Sequence, residues 1–216
     1  MTLFMHRDVA IPCSGSQLIR GRLDLPPDAC GLVIFAHGSG SSRHSPRIQF
    51  VARELQQAGL ATLLIDLLTE EESDHRANVF DINLLAMRLV SALEWAARQE
   101  ETAGLPVGYF GASTGVAAAL VAAARSPRTV SVVVSHGGRP DLAGEYLPKV
   151  QSPTLLITGG LDSEVLELNR QAKSRMKAKV RIEIVLGATH LFEEAGTLEK
   201  AAELAKNWFL EHFTKD

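Results

Sequence analysis

The sequence has few cysteines, no long hydrophobic run and no large excess of charge, and each absence excludes a class of protein. Its 216 residues contain two cysteines, Cys13 and Cys30, which match no metal-ligand or redox spacing. Without a secretory signal, a disulfide between them is not expected. No apolar run is long enough to span a membrane, and a net charge of −3 gives no electrostatic basis for binding nucleic acid. We therefore expect a cytoplasmic protein that binds neither membrane nor nucleic acid.

The sequence also lacks internal repeats, low-complexity tracts and any segment that resembles an interdomain linker. With 46% hydrophobic and 22% charged residues, the chain is long enough to bury a large core. We predict a single domain over residues 1–216. The sequence identifies no dimer surface, so it leaves the oligomeric state open.

Hydrophobic patterning predicts an α/β protein. Two alternating runs, Phe4–Ile11 and Gln17–Leu25, predict an antiparallel hairpin that turns at Ser14-Gly15-Ser16. Further along, short apolar runs alternate with amphipathic stretches, as in a mostly parallel sheet with right-handed helical crossovers. The runs predicted as strands are Gly31–Ala36, Ala61–Ile65, Pro106–Phe110, Val130–Ser135, Pro153–Thr158 and Val180–Leu186. The stretches predicted as helices are Pro46–Ala58, Asn78–Gln99, Ser113–Arg125, Glu164–Lys177 and Thr197–Phe213.

The most specific motif is Gly111–Gly115, which reads GASTG and fits the pattern G-x-S-x-G. An apolar run, Pro106–Phe110, precedes it and a small-residue run, 116–124, follows it, as in a strand–turn–helix that presents a nucleophilic serine. Glycines flank Ser113 because bulkier residues would clash across the strained turn. The N-terminus of the following helix would direct free N–H groups toward a developing oxyanion.

A serine hydroxyl is a weak nucleophile and needs a base, which in turn needs a group that orients it. The predicted strand Pro153–Thr158 leads into Asp162, and the predicted strand Val180–Leu186 leads into His190. The chain order serine, acid, histidine is that of a Ser-His-Asp triad on a parallel sheet. In this hypothesis His190 accepts the proton of Ser113, while Asp162 orients the imidazole and stabilises its charged form.

Each member of this triad also has a structural interpretation. Asp162 or Ser163 could cap the helix that follows, and His190 could be an ordinary loop residue. Asp66, after the predicted strand Ala61–Ile65, is a rival acid, but it comes earlier in the chain than the usual acid position. Because all three residue types occur in the right order at strand ends, we favour the triad.

A fourth strand end carries the small, glycine-rich loop His37–Arg43. Sheets of this kind place half of an oxyanion hole in that loop. We therefore predict that the backbone N–H groups of Ser39 and Thr114 hold the oxyanion, with Gly40 as an alternative to Ser39. For His37 we favour a structural role, in which the ring hydrogen-bonds nearby backbone, over a catalytic one.

Several other side chains near the predicted site could contact a substrate. His136 follows a predicted strand and could border the pocket. Arg43, Arg47 and Arg139 could line the entrance and attract an anionic substrate. Surface solvation is the simpler interpretation for each arginine.

Together these segments resemble the α/β-hydrolase superfamily and, within it, the dienelactone-hydrolase-like family. The resemblance covers nearly the whole chain. It implies a doubly wound, mostly parallel sheet of about eight strands with helices on both faces, and hydrolysis through a covalent acyl-enzyme without metal or organic cofactor. The segments that carry it are HGSGSSR at His37–Arg43, GASTG at Gly111–Gly115, GGLDSEV at Gly159–Val165 and GATHLFEE at Gly187–Glu194.

One departure from that family bears on the substrate. Dienelactone hydrolases carry a cysteine nucleophile, whereas this chain has Ser113, which favours ordinary ester or thioester chemistry over the lactone. The segment His136–Ser152 leaves little room for a large lid, so we expect an open, shallow site. The acidic stretch Thr69–Asp74 is interpreted as an exposed loop, with a place at the border of the site as the alternative.

The sequence therefore predicts a serine hydrolase that cleaves a small soluble carboxylic ester. Acyl transfer, thioester cleavage and peptide cleavage on the same triad remain open, because the acceptor and the leaving group depend on pocket walls that the sequence does not reveal. A non-catalytic binding protein that has kept the fold is the alternative from another class.

Overall fold

A computed structural model describes residues 4–15 and 17–213, and their strands form one sheet flanked by helices. The strands are β1 (Met5–Pro12), β2 (Leu18–Leu25), β3 (Leu32–Ala36), β4 (Ala61–Ile65), β5 (Val107–Ala112), β6 (Val130–His136), β7 (Thr154–Gly159) and β8 (Val180–Val185). The helices are α1 (Pro46–Gln57), α2 (Glu70–Ser73), α3 (Arg76–Val79), α4 (Ile82–Ala96), α5 (Gly115–Arg125), α6 (Ser163–Arg175) and α7 (Thr197–Phe213). A 3₁₀ segment, Pro140–Lys149, precedes β7.

The strand order in the sheet is β1-β2-β4-β3-β5-β6-β7-β8. The first two pairings, β1 with β2 and β2 with β4, are antiparallel, and all later neighbours are parallel. The predicted hairpin and the mostly parallel sheet are therefore confirmed. Ser16, in the predicted hairpin turn, lies outside the described residues. Because β3 and β5 to β8 run parallel, the loops that follow them meet at one edge of the sheet.

Helices cover both faces of this sheet. Apolar residues of α1 and α7 form the core on one face, and those of α4 and α5 form the core on the other. Strands β3 and β4 are buried along their whole length, which explains why every residue in them except Thr62 is apolar. In α5 every residue from 115 to 123 is buried. Close packing on all sides leaves space only for small side chains, which explains why the helix contains many alanines.

The helix predicted over Asn78–Gln99 is wrong at its start. The structure has the short helix α3, a break at Phe80, and then α4. The Asp81 carboxylate accepts a hydrogen bond from the Leu84 N–H at 3.0 Å and so caps the first turn of α4.

The acidic stretch Thr69–Asp74, interpreted from sequence as an exposed loop, contains the short helix α2. The Thr69 hydroxyl accepts a hydrogen bond from the Glu72 N–H, and the Glu72 carboxylate accepts one from the Thr69 N–H. This reciprocal pair is a capping box, which satisfies two N–H groups at the start of a helix. The stretch borders a cavity that Ser113 and His190 do not line, so the alternative, a place at the border of the site, stays a prediction.

The segment between β6 and β7 holds only the 3₁₀ segment, so the structure has no large lid there, as predicted. Cys13 and Cys30 are both free. Within the described ranges, no helix combines the length and the hydropathy needed to cross a membrane.

Candidate active site

Ser113 lies in a strained turn between β5 and α5. Its φ of +49° falls in the left-handed region that residues other than glycine rarely adopt. A side chain at Gly111 would collide with the backbone of Val116, and one at Gly115 would collide with the carbonyl oxygen of Ala36. The two glycines therefore let strand, loop and helix converge at the serine.

Backbone hydrogen bonds from the region after β6 hold this turn. The Ser113 N–H donates to the His136 carbonyl oxygen at 3.3 Å, and the Arg139 N–H donates to the Ser113 carbonyl oxygen at 3.0 Å. Strained conformations persist where surrounding contacts over-determine them, and they concentrate at functional sites. The backbone thus fixes the position from which the Ser113 hydroxyl projects.

His190 and Asp162 form a hydrogen-bonded pair. Nδ1 of His190 donates to Oδ2 of Asp162 at 2.7 Å. Asp162 occupies the N-cap position of α6, yet its side chain accepts no hydrogen bond from that helix. The carboxylate therefore hydrogen-bonds to the imidazole instead of capping the helix. The Asp162 side chain is mostly buried at 14% exposure, whereas the His190 side chain is 40% exposed and leaves Nε2 open to an incoming group.

The loops that carry this pair pack closely at the ends of β7 and β8. A side chain at Gly159 would collide with the carbonyl oxygens of Ala188 and Thr189, at 2.5 and 2.6 Å. The Glu194 carboxylate accepts hydrogen bonds from the Thr189 N–H at 3.1 Å and the Thr189 hydroxyl at 2.6 Å. The close approach of Gly159 to the backbone of Ala188 and Thr189, together with the Glu194 hydrogen bonds, fixes the loop that carries His190.

Ser113 and His190 line the same cavity of about 230 Å³. Within the part of the chain that the structure describes, no hydrogen bond joins the Ser113 hydroxyl to His190. Such bonds are often long in a free enzyme and tighten when substrate binds. The structure therefore brings Ser113 and His190 to one cavity, and Asp162 contacts His190 without lining that cavity.

The glycine-rich loop after β3 lies against the turn that carries Ser113. The Ser39 N–H donates to the Thr114 hydroxyl at 3.0 Å, so the two predicted oxyanion donors belong to neighbouring residues. A side chain at Gly38 would lie 2.8 Å from Cβ of Ser113, which explains the glycine. Among the described residues, the N–H groups of Thr114 and Gly40 have no acceptor.

The His37 ring is held by backbone on both sides. The Leu67 N–H donates to Nε2 of His37 at 3.1 Å, so Nδ1 carries the proton and donates to the Gly38 carbonyl oxygen at 2.9 Å. Burial lowers the pKa of His37, although the contact with Gly38 opposes that shift. A neutral ring with both nitrogens engaged links the loop after β3 to the loop after β4.

Each arginine near the site already has a carboxylate partner. Arg43 forms an ion pair with Asp66, the rival acid, and Asp66 does not line the cavity that His190 lines. Arg139 makes a bidentate pair with Asp141 at 2.8 and 2.9 Å, and this hydrogen bonding raises the pKa of Arg139. Arg47 lines the cavity that Ser113 and His190 line, and it contacts Glu193, a surface carboxylate, at 3.2 Å.

His136 also lines the cavity that Ser113 and His190 share. Its ring lies between Phe110 and Phe192, with ring centroids 5.8 and 4.3 Å away. Burial, together with the smaller effects of the charges of Arg47 and His190, lowers the pKa of His136 to about 4. Its Nε2 is buried and has no hydrogen-bond partner among the described residues. The ring is therefore neutral at pH 7 and packs as an aromatic side chain.

Comparison with known proteins assigns the chain to a family. Residues 19–215 match the model of the dienelactone hydrolase family. The chain belongs to the dienelactone hydrolase family. A dienelactone hydrolase from Anabaena variabilis shares its structure with a TM-score of 0.93 at 52% sequence identity, over 97% of this chain and 98% of that one. The predicted α/β-hydrolase fold and the family resemblance are both confirmed.

Two further matches of this dienelactone hydrolase family member differ in what they show. Est1E from Butyrivibrio proteoclasticus matches with a TM-score of 0.82 at 18% identity, over 96% of this chain and 99% of that one, which shows the fold alone. A Mycobacterium tuberculosis protein named "putative phosphoribosyl transferase" is 58% identical over 199 residues. Those residues are 92% of this chain but 45% of that protein, so this chain spans less than half of its curated relative.

Sequence reasoning did not find two features of this family member. One is a cavity of about 410 Å³ bordered by α2 and α3, for which the sequence carries no signal, since the Thr69–Glu72 capping-box spacing indicates only where α2 begins. The other is Arg88, which is buried in α4 and donates to the side chains of Glu72 and Gln17 at 2.5 and 2.6 Å. A single arginine in a helix gives no sequence signal for burial. Within the described residues no cluster of metal-ligating side chains is present.

Proposed function

We propose that residues 1–216 form a single serine hydrolase domain that cleaves a small carboxylic ester through an acyl-enzyme. The observation that carries the proposal is the His190–Asp162 hydrogen bond of 2.7 Å, made by a carboxylate that forgoes capping its own helix. His190 shares its cavity with Ser113, whose strained backbone is typical of a functional residue.

In the first step the Ser113 oxygen attacks the acyl carbon while Nε2 of His190 takes the hydroxyl proton. The Asp162 carboxylate stabilises the imidazolium that forms, because Nδ1 of His190 already donates to it. The carbonyl π electrons move onto oxygen and form a tetrahedral oxyanion. When this intermediate collapses, His190 returns the proton to the alcohol that leaves, and the acyl group remains on Ser113.

The oxyanion accepts hydrogen bonds from the Thr114 N–H and from the Ser39 N–H. In the free protein the Ser39 N–H donates to the Thr114 hydroxyl at 3.0 Å, so in this proposal the oxyanion replaces a neutral acceptor of that N–H. Gly40, whose N–H has no acceptor among the described residues, is the alternative donor from the same loop.

In the second step water replaces the alcohol. His190 removes a proton from the water, the hydroxide attacks the acyl carbon, and the carboxylic acid leaves as Ser113 recovers its proton. The same triad supports acyl transfer or thioester and peptide cleavage with other acceptors and leaving groups. The transferase name of the Mycobacterium tuberculosis relative is not carried over, because more than half of that protein lies outside the match.

The test is hydrolysis of p-nitrophenyl esters by the wild-type protein and by Ser113→Ala. We expect the variant to lose roughly 10⁴- to 10⁶-fold in kcat, because loss of a triad nucleophile leaves only binding and oxyanion stabilisation. Ser174→Ala, which changes an exposed serine on α6, is the matched control and should retain full activity. Undiminished hydrolysis by Ser113→Ala would reject the proposal and leave the non-catalytic binding function.

A further inference from the structure

A cavity of about 410 Å³, bordered by α2 and α3, adjoins the smaller cavity that Ser113 and His190 line. The loop after β3 lies between the two cavities. The two cavities share Gly38, Ser39 and Ser41 as walls. Ser113 and His190 line only the smaller cavity of about 230 Å³. Small-molecule sites typically measure about 300–1,000 Å³, a range that includes only the larger cavity.

The walls of this larger cavity suit an uncharged, apolar group. Leu67 and Leu85 are buried in its lining, and Val79 of α3 is half-buried there. Its acidic side chains are Asp66 and Glu70, and among the described residues no lysine or arginine lines it. Asp66 is paired with Arg43, but Glu70 has no cation partner among the described residues, so an anionic group would meet an uncompensated carboxylate, which costs free energy on transfer from water.

Hydrogen bonds hold the wall that α2 contributes. The capping box fixes its first turn, and the buried Arg88 donates to the Glu72 carboxylate at 2.5 Å. Burial alone would raise the pKa of Glu72, but the Thr69 N–H and Arg88 outweigh it and hold that pKa below its ordinary value. Glu72 thus stays ionised and paired, and the cavity has a fixed outer wall.

The chemistry of the triad decides which part of an ester can enter each cavity. His190 must reach the leaving oxygen to protonate it, so the alcohol lies in the smaller cavity that His190 lines. The oxyanion lies at Ser39 and Thr114, between the cavities. The remaining substituent of the tetrahedral carbon is the acyl chain. It leaves the carbon next to the oxyanion position, and Ser39, which we place at that position, is also a wall of the larger cavity.

We propose that the larger cavity is the acyl-binding site and selects esters of uncharged, apolar acyl groups longer than acetyl. This assignment rests on the proposed ester hydrolysis and adds its substrate class. It also replaces the single open, shallow site expected from the sequence with a site that has a second cavity bordered by α2 and α3.

The test compares two ester series in variants of each cavity. One series varies the acyl chain of p-nitrophenyl esters from acetate to decanoate, and the other varies the alcohol of butyrate esters. Val79→Phe narrows the larger cavity, Leu191→Trp narrows the smaller one, and Met87→Phe on the exposed side of α4 is the control. All three positions are at least partly exposed, so larger side chains should not disrupt the core.

We expect Val79→Phe to lower kcat/KM for octanoate by about 10-fold or more and to change acetate little, since a few methylenes carry such discrimination. Val79→Ala should shift the optimum to longer chains. Leu191→Trp should change the alcohol series but not the acyl profile, and Met87→Phe should change neither. The p-nitrophenyl monoester of succinate, whose acyl group is anionic, should be a poorer substrate than the butyrate.

Two results would overturn the assignment in different ways. If the wild-type protein hydrolyses esters but neither Val79 variant alters the acyl profile, the acyl site lies elsewhere and ester hydrolysis still stands. If the wild-type protein hydrolyses no ester and a fluorophosphonate does not label Ser113, the proposed function fails and the acyl site fails with it. A preference for succinate over butyrate would reject the uncharged substrate class alone.

Discussion

The Asp162 carboxylate accepts a hydrogen bond from Nδ1 of His190 at 2.7 Å although it stands at the N-cap position of α6. An aspartate at that position ordinarily accepts a hydrogen bond from its own helix. Asp81 does so at the start of α4, where its carboxylate accepts from the Leu84 N–H. Aspartate at the N-cap position therefore orients a histidine at α6 and caps the helix at α4. Substitution of each aspartate distinguishes the two roles.

Replacing Asp162 with asparagine should reduce kcat for ester hydrolysis by roughly 10³- to 10⁴-fold, because the imidazole loses the carboxylate that sets its tautomer and stabilises its charge. The free energy of unfolding should change little. Asp81→Ala should do the opposite, with full activity and a loss of about 1 kcal/mol of stability. Ester kinetics and urea unfolding of both variants test these two predictions. Equal losses of stability in Asp162→Asn and Asp81→Ala would contradict the difference between the two aspartates.

Ser113 is strained at φ +49°, and glycine adopts that conformation without cost. Ser113→Gly should therefore be more stable than Ser113→Ala by about 1 kcal/mol, although both are inactive. Ala112→Gly, one residue earlier in β5, should instead be destabilising, because glycine in a strand loses conformational entropy without relief of strain. Thermal unfolding compares the three. A less stable Ser113→Gly than Ser113→Ala would show that the strain is absent.

The buried pair of Arg88 and Glu72 should couple strongly. Arg88→Met leaves the Glu72 carboxylate without its cation and should cost about 3 kcal/mol. Adding Glu72→Gln should recover part of that loss. Arg98→Met, which breaks the exposed pair with Glu94, should change stability by no more than about 0.5 kcal/mol. A double-mutant cycle in urea measures the coupling, and additive effects of the two substitutions would contradict it.

His136 should make stability depend on pH. Its pKa is about 4 in the fold, against an ordinary value of 6.5, so between those values the unfolded chain binds a proton that the folded chain does not. Stability is therefore retained above pH 6.5 and lost as pH falls toward 4. The loss from pH 7.5 to 4.5 should be smaller in His136→Phe by about 2–3 kcal/mol. The exposed His44→Gln should behave as wild type. Identical pH slopes in wild type and His136→Phe would reject the buried neutral ring.

The sequence predicts most of this fold because its strands and long helices have strong local patterns. The run at β4 is apolar except for Thr62 and is buried throughout, and its predicted bounds are those observed. The start of α4 was misplaced because the pattern from Asn78 continues smoothly into that helix. Only the side chain of Asp81, through its hydrogen bond to Leu84, shows where the helix begins.

The candidate site was less predictable where it depends on contacts distant in sequence. Motifs and chain order nominated Ser113, Asp162 and His190. The hydrogen bond between Ser39 and the Thr114 hydroxyl joins residues far apart in the chain, and no local pattern encodes it. The same holds for the carboxylate partners of the arginines and for the cavity under α2 and α3, since each depends on how the elements pack.

Covalent labelling of Ser113 tests the central claim most directly. The protein is treated with a fluorophosphonate, and intact mass and peptide mapping locate the adduct in wild type, Ser113→Ala and His190→Ala. We predict one adduct per chain on Ser113 in the wild type, none in Ser113→Ala, and at least a hundredfold slower labelling in His190→Ala, since the hydroxyl then has no base. Absence of an adduct in the wild type, or labelling at the same rate without His190, would contradict the proposed triad.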